Sequence, residues 1–383
     1  MHRGLSGAYD VTSFGGEVVR AFLPAVLPPS PPVDLRRLQR SLERASIAIG
    51  RLDSVSALLP DTALFIYAYI RKEAVLSSQI EGTQSSLSDL LLFELEAAPG
   101  VPSDDVVEVS NYVAALNLGL VRLREGMPMS SRLIREIQGT LLSRGRGSER
   151  EPGEYRRSQN WIGGSRPGNA VYVPPPHEEV GACIAALEQF IHDEDSDLPV
   201  LVKAALAHVQ FESIHPFLDG NGRVGRLLIT LLLCADGILG EPLLYLSLYF
   251  KRNREDYYRL LTACRTEGDW EAWIDFFLEG ITLTAQDAVQ TAQKLVGMFE
   301  RDRARVQGLG RRAGSALRVL EALKARPVLL LPEVARLSGL SFPAAAAGMG
   351  SLEELGIVRE ITGKKRNRVF AHSDYLSLLS EGT

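Results

Sequence analysis

The stretch that most limits how this chain can fold is residues 215–226, HPFLDGNGRVGR, set between two long apolar segments. Before it, LVKAALAHVQFESI reads as a helix. After it, LLITLLLCA is an apolar run suited to a buried helix. The mixture between them is wrong for a core and wrong for an ordinary surface turn. It therefore has to be a structured connection whose glycines sit at the N-terminus of the second helix, where orphan N–H groups and the helix dipole favour anions. Each polar member has its own chemical use. His215 can move a proton near neutral pH. Asp219 can hold a hard cation such as magnesium. Gly220, Asn221 and Gly222 can turn backbone N–H groups toward an anion. Arg223 and Arg226 offer forked donors to phosphate oxygens and, three apart, share a helix face.

Two common phosphate motifs are excluded. Gly220, Gly222 and Gly225 fit G-x-G-x-x-G, but a dinucleotide fold needs a strand before that turn, and here a helix precedes it. A Walker loop needs Gly-Lys followed by Ser or Thr, and the stretch has none.

At 383 residues the chain has room for two or three domains, and 45% hydrophobic with 23% charged residues is ordinary for a soluble globular protein. A net charge of −5 gives no global reason to expect nucleic-acid binding. The three cysteines, Cys183, Cys234 and Cys264, make neither a metal spacing nor an even disulfide set, which suits a reducing cytoplasm. The start, MHRGLSGAYD, has no apolar signal-peptide core, and the run from Leu227 to Ala235 is far too short to span a membrane. The expectation is a cytoplasmic protein with no membrane partner.

Helical periodicity dominates the rest. Residues 1–32 lack it and end in LPAVLPPSPP, so they read as an extended arm, docked by Phe22, Leu23, Val26 and Leu27. Helices are predicted near 34–50, 61–81 (capped by Asp61), 86–97, 104–125, 130–142, 177–193, 198–213, 222–236, 253–267 and 269–300. Between 143 and 176 the helical signal disappears, and loops this long are usually functional. Within it, QNWIGG, SRPGN and AVYVPPP read as a strand, a turn and a strand. A charged, glycine-containing stretch marks a boundary near 301–314. Beyond it, helices near 315–325, 332–338 and 343–355 precede IVREITGKKRNRVFAH, which alternates like two strands around a Gly-Lys-Lys turn. That order is a winged-helix pattern.

Residues 77–82, SSQIEG, carry the second motif. Ser77 and Glu81 lie one helical turn apart and share a face. A carboxylate there can pair with an arginine.

Residues 215–226 match the signature of the Fic family, HxFx(D/E)GNGRxxR, at every fixed position. SSQIEG resembles the inhibitory motif (S/T)xxxE(G/N) of Fic proteins whose inhibitory helix precedes the core. The resemblance implies a mainly α protein: an N-terminal helical module with the inhibitory helix over 1–110, a Fic catalytic bundle with a β-hairpin flap over 111–300, and a winged helix over 301–383. It implies AMP transfer from ATP to a Ser, Thr or Tyr hydroxyl of a protein substrate, with pyrophosphate released. His215 would be the general base and Asp219 the magnesium ligand. Gly220, Asn221, Gly222, Arg223 and Arg226 would hold the phosphates, and Asn253 would line the adenine site, with Tyr245, Tyr257 and Tyr258 as further candidates. Glu81 and Ser77 would be inhibitory, with Glu81 taking Arg226 away from the γ-phosphate. A homodimer is also implied. The residues leave open removal of AMP rather than transfer, or both, and transfer of UMP or phosphocholine. A winged-helix regulator that binds DNA through GKKRNR is a further alternative, although FPAAAAGMGSLEEL, its recognition helix, has no basic residue. His208, one turn before Glu212, reads as structural.

Overall fold

The computed structural model describes residues 3–14, 16–58, 62–95, 103–363 and 367–381. Asp61, read as a helix cap, and residues 364–366 of the GKKRNR stretch lie outside them. The helices follow the apolar periodicity closely. The first helices are α1 (Leu35–Leu58), α2 (Thr62–Ile80), α3 (Leu87–Phe93) and α4 (Ser103–Arg124), and α4 runs across the boundary expected at 110. A capping box starts α3, where the Ser86 and Asp89 side chains each accept the other's backbone N–H. The following elements are α5 (Ser131–Leu141), α6 (Val180–Ile191), α7 (Val200–Ile214), α8 (Asn221–Ala235), α9 (Ser247–Arg252), α10 (Arg254–Glu267) and α11 (Trp270–Gln307).

The first residues are more ordered than an extended arm. Strands β1 (Gly7–Phe14) and β2 (Glu17–Pro24) form an antiparallel hairpin with Gly7 opposite Pro24. Gly16 at the turn has φ +85, which a side chain would resist. Phe22 is buried as expected, but Val26 is 68% exposed and does not dock. Conversely, the hairpin expected over 160–176 is reduced to one bridge, Ile162 with Tyr172. Prolines at 174–176 and paired glycines at 163–164 stop a longer ladder from forming. The segment is instead pinned by its neighbours: Phe22 N–H donates to the Val173 carbonyl (2.8 Å), and Glu17 pairs with Arg166.

Helices α7 and α8 form the centre of the core. In α7 every residue from Ala204 to Ile214 is buried. Trp273 of α11 packs here, its Nε1 donating to the Ala205 carbonyl at 2.9 Å and its ring stacked on His208. The helix expected to end near 300 continues to Gln307, across the boundary read from composition.

Beyond Gly308 come α12 (Ala313–Ala325), β3 (Val328–Leu330), α13 (Leu331–Ser338), α14 (Phe342–Glu354), β4 (Val358–Glu360), β5 (Val369–His372) and α15 (Ser373–Ser380). The strand order is β3-β5-β4, all antiparallel, so one strand was missed by the sequence reading, as was α15. The alternation along β5 explains its unbroken burial. Val369 and Ala371 join the main core, while Phe370 faces a second, smaller core with Val319, Leu323, Leu329 and Leu352.

Trp273→Ala should cost about 3–5 kcal/mol, because it deletes the largest side chain at the junction of α7, α10 and α11. Urea unfolding checks this, and a loss below about 1 kcal/mol would contradict the packing described.

Candidate functional site

Residues 215–220 connect α7 to α8, and residues 221–226 form the first turns of α8. His215 ends α7 in the left-handed region, with φ +48, which is rare for a non-glycine residue. Gly220, at φ +82, precedes the first turn of α8. Between them Phe217 is fully buried against Tyr155 and Phe211 and acts as the loop's apolar anchor. Asn221 staples the loop from within: its Oδ1 accepts the Phe217 N–H at 2.9 Å and its Nδ2 donates to the Phe217 carbonyl at 2.8 Å.

The strained turn at His215 is held by a residue the sequence reading did not single out. Arg156 is 2% exposed and has no carboxylate partner among the described contacts. Its guanidinium donates to main-chain carbonyls instead: His215 at 3.0 Å, Ser158 at 3.3 Å and Pro175 at 2.5 Å. Its own N–H bonds the Pro216 carbonyl at 2.9 Å. One side chain therefore ties the loop after α7 to the 143–176 segment. Asn160, from the same segment, places Nδ2 3.0 Å from His215 Nδ1, and Asn221 Nδ2 is 3.1 Å away. Burial, aided by the Arg156 charge, pushes the His215 imidazole down to about 3, so the ring is neutral at physiological pH.

Glu81, His215, Asp219, Gly220, Asn221, Gly222 and Arg223 share one cavity of about 180 Å³, with Arg146 and Leu218. That is below the roughly 300–1,000 Å³ of ordinary small-molecule sites. Arg223 is buried between Glu108 of α4 (3.1 Å) and Asp219 (3.2 Å).

Arg226, 2% exposed, is engaged entirely by the end of α2. Its Nε donates to Ser77 Oγ (2.9 Å), and its Nη2 donates to the Ser77 carbonyl (3.0 Å) and Glu81 Oε1 (2.7 Å). Two glycines permit this. Gly82 stops α2 at φ +100. Gly222 lets the helices approach, since a Cβ there would lie 2.3 Å from Glu81 Oε1. The Arg226 and Arg223 charges hold the Glu81 carboxyl below its usual value despite the opposing effect of burial. The pair therefore stays ionised through neutral pH.

The adenine-site candidates are not brought to this cavity. Asn253 joins α9 to α10, donates to the Tyr249 carbonyl at 3.0 Å, and lines a separate cavity of about 560 Å³. Tyr245 is buried with its hydroxyl on Asp287, and Tyr257 is buried with its hydroxyl on His208. Tyr258 is 41% exposed. His208 is structural, bonded to the Gly225 carbonyl and Tyr257 and stacked on Trp273.

Glu212, one turn before His215, is buried with Oε1 unpartnered. Burial pushes its carboxyl up to about 7, against the opposing Arg226 charge.

Residues 39–121 match the Fic/DOC family N-terminal region, and residues 128–233 match the Fic/DOC family domain. The chain is 29% identical over 310 residues to the protein adenylyltransferase Fic of Aedes aegypti, covering 73% of this chain and 57% of that protein. It is 30% identical over 299 residues to the protein of the same name from Culex quinquefasciatus, covering 73% and 55%. The chain thus spans about half the length of the curated relatives it matches. Among solved structures, a Fic family protein from Desulfovibrio desulfuricans G20 superposes with a TM-score of 0.58 at 20% identity, covering 89% of this chain and 97% of that one. A Fic domain containing signaling protein from Bacteroides thetaiotaomicron gives 0.53 at 20% identity, covering 65% and 95%. The chain thus carries a Fic/DOC family N-terminal region and a Fic/DOC family domain, and its fold is the mainly helical Fic fold.

Protonation of Glu212 gives a pH prediction. In the fold the carboxyl keeps its proton up to about 7, whereas in the unfolded chain it loses it near 4.5. The folded state binds the extra proton between those values, so this group's contribution to stability falls as pH rises through them. Glu212→Gln cannot ionise and should therefore gain stability relative to the parent between about pH 5 and about pH 8. Urea midpoints at both pH values test this, and a pH-independent difference would contradict it.

Proposed function

We propose that this chain is a protein adenylyltransferase held in check by its own α2. The observation that carries the reading is the Arg226–Glu81 pair at 2.7 Å beside a neutral His215 and the α8 N-terminus. The names of the curated relatives support the same chemistry. A target hydroxyl gives its proton to His215, and its oxygen forms a bond to the α-phosphorus of ATP. The bond from that phosphorus to the bridging oxygen breaks, and pyrophosphate leaves. His215 accepts the proton at Nε2, which requires the ring proton to sit on Nδ1. Turning the Asn160 amide, whose Oδ1 is buried without a partner, offers that proton an acceptor.

The residues fit a magnesium–nucleotide ligand. Asp219 is a partly exposed carboxylate on the cavity, paired only loosely with Arg223 at 3.2 Å. Magnesium usually takes one or two carboxylates and completes its set with water and phosphate, so no cluster of protein ligands is needed. Asp219 would hold the ion, which when bound neutralises phosphate charge. The N–H groups of Gly220, Asn221 and Gly222 and the Arg223 guanidinium face the phosphate oxygens, and Arg226, once free, takes the γ-phosphate. While Glu81 holds Arg226, the triphosphate binds with its α-phosphate out of line, and a misplacement of about 1 Å can cost around a hundredfold in rate.

A second reading rests on Glu81 itself, which lines the cavity beside His215 with its side chain 33% exposed. From there it can hold a water that removes AMP from a modified protein. We also infer that the C-terminal unit is a winged helix that binds protein, because α14 carries no basic residue and exposes Phe342.

Wild type, Glu81→Gly and His215→Ala incubated with α-labelled ATP and magnesium separate these outcomes. Glu81→Gly should label protein roughly a hundredfold faster than wild type, and His215→Ala should not label. Equal labelling by Glu81→Gly and His215→Ala would defeat the braked-transferase reading.

A further inference from the structure

Arg146 enters the cavity from the segment after α5, outside both motifs. Its position is built rather than incidental. Asn111 of α4 donates to the Arg144 carbonyl at 2.9 Å and pins the segment. Gly145 and Gly147, at φ +77 and +87, turn the chain on either side of it. A Cβ at position 147 would stand 2.8 Å from Asp219 Oδ2, so the segment lies directly against the motif. Arg146 Nε pairs with Glu108 Oε1 at 2.8 Å, while Glu108 Oε2 takes Arg223 at 3.1 Å.

Glu108 is 1% exposed, so it is a buried carboxylate with two cations on it. Arg223 has Asp219 as its second carboxylate, so Arg146 and Asp219 flank the Arg223–Glu108 pair on the cavity side. Arg223 Nε is also buried without a partner. The bland alternative is a surface ion pair, since the Arg146 side chain is 59% exposed. A surface pair does not explain why a buried acid holds both arginines beside one small cavity, or why its outer member lines that cavity with His215 and Asp219.

We propose that Arg146 is a further phosphate-binding arginine of the cradle, aligned together with Arg223 by the shared carboxylate of Glu108. This rests on the reading of the cavity as a nucleoside-triphosphate site. Arg146 contacts the phosphates beyond the α-phosphate, the part of ATP that departs as pyrophosphate. Glu108 is a positioning residue and touches no substrate.

Calorimetric titration of ATP and of AMP, each with excess magnesium, into Glu81→Gly tests the assignment. Adding Arg146→Ala should weaken ATP by roughly ten- to hundredfold, the usual worth of a hydrogen bond between charged groups, and leave AMP within about twofold. Arg146→Lys should recover part of the loss, since a point charge replaces the fork. Glu108→Gln should weaken ATP by itself and weaken it less in the Arg146→Ala background. Equal losses for ATP and AMP, or no loss for ATP, overturn the proposal, and equal losses with a lowered unfolding temperature assign a structural role instead. A parent that binds ATP but transfers no AMP defeats the proposed activity and leaves this assignment standing. A parent that transfers AMP while Arg146→Ala binds ATP unchanged defeats only the assignment. A parent that binds no ATP defeats both.

Discussion

A buried guanidinium must have its donors satisfied, and the way Arg226 meets that demand governs the rest of the site. It sits on the first turns of α8, 2% exposed, where an unpaired charge would cost several kcal/mol. Ser77 supplies a hydroxyl and a carbonyl, and Glu81 supplies the counter-charge. All three groups belong to the end of α2, so α2 is locked to α8 by the residue that the proposed transfer needs free. Under that proposal, burial and catalysis place opposite demands on one side chain. The lock has further anchors along α2. Glu73 is fully buried and accepts from Ser247 and Tyr112, tying the helix to α9 and α4. Releasing Arg226 therefore means shifting Glu81 at the helix end, where Gly82 interrupts the backbone, more readily than moving the whole helix.

The loop from His215 to Gly220 is fixed by different means. A left-handed histidine is costly unless its surroundings over-determine it. Here Phe217 anchors the loop in the core, Asn221 staples it, and Arg156 gathers its carbonyls. The 143–176 segment supplies Arg156, Asn160 and Arg146, so it contributes more to the site than a flap does. The N-terminal hairpin supports that segment in turn through Phe22 and Glu17.

Both motifs were legible because their chemistry is local. HPFLDGNGRVGR and SSQIEG each state their residue types within one turn or loop, and the structure brings them together at Gly222 and Arg226. The long helices were legible from periodicity, although α11 overran the boundary that charge and glycine suggested. The β1–β2 hairpin carried a signal that went unused: strand-forming residues flank Gly15-Gly16. The expected flap hairpin is shortened to the Ile162–Tyr172 bridge because prolines and glycines outweigh its few strand formers. Arg156, Glu108 and Arg146 were not legible. Each acquires its role from partners far away in sequence, and nothing near an arginine says whether it will meet solvent, a carbonyl or a buried acid. Asn253, singled out for its place after the motif, lies at the junction of α9 and α10 and lines a neighbouring cavity.

The central claim is that Glu81 misdirects a bound nucleotide rather than excluding it. The most direct test is the rate of AMP transfer at saturating ATP in wild type and Glu81→Gly. If pose is limiting, a gap of roughly a hundredfold persists at saturation. If the two rates converge as ATP saturates, Glu81 acts by keeping nucleotide out, and the account given for Arg226 is wrong.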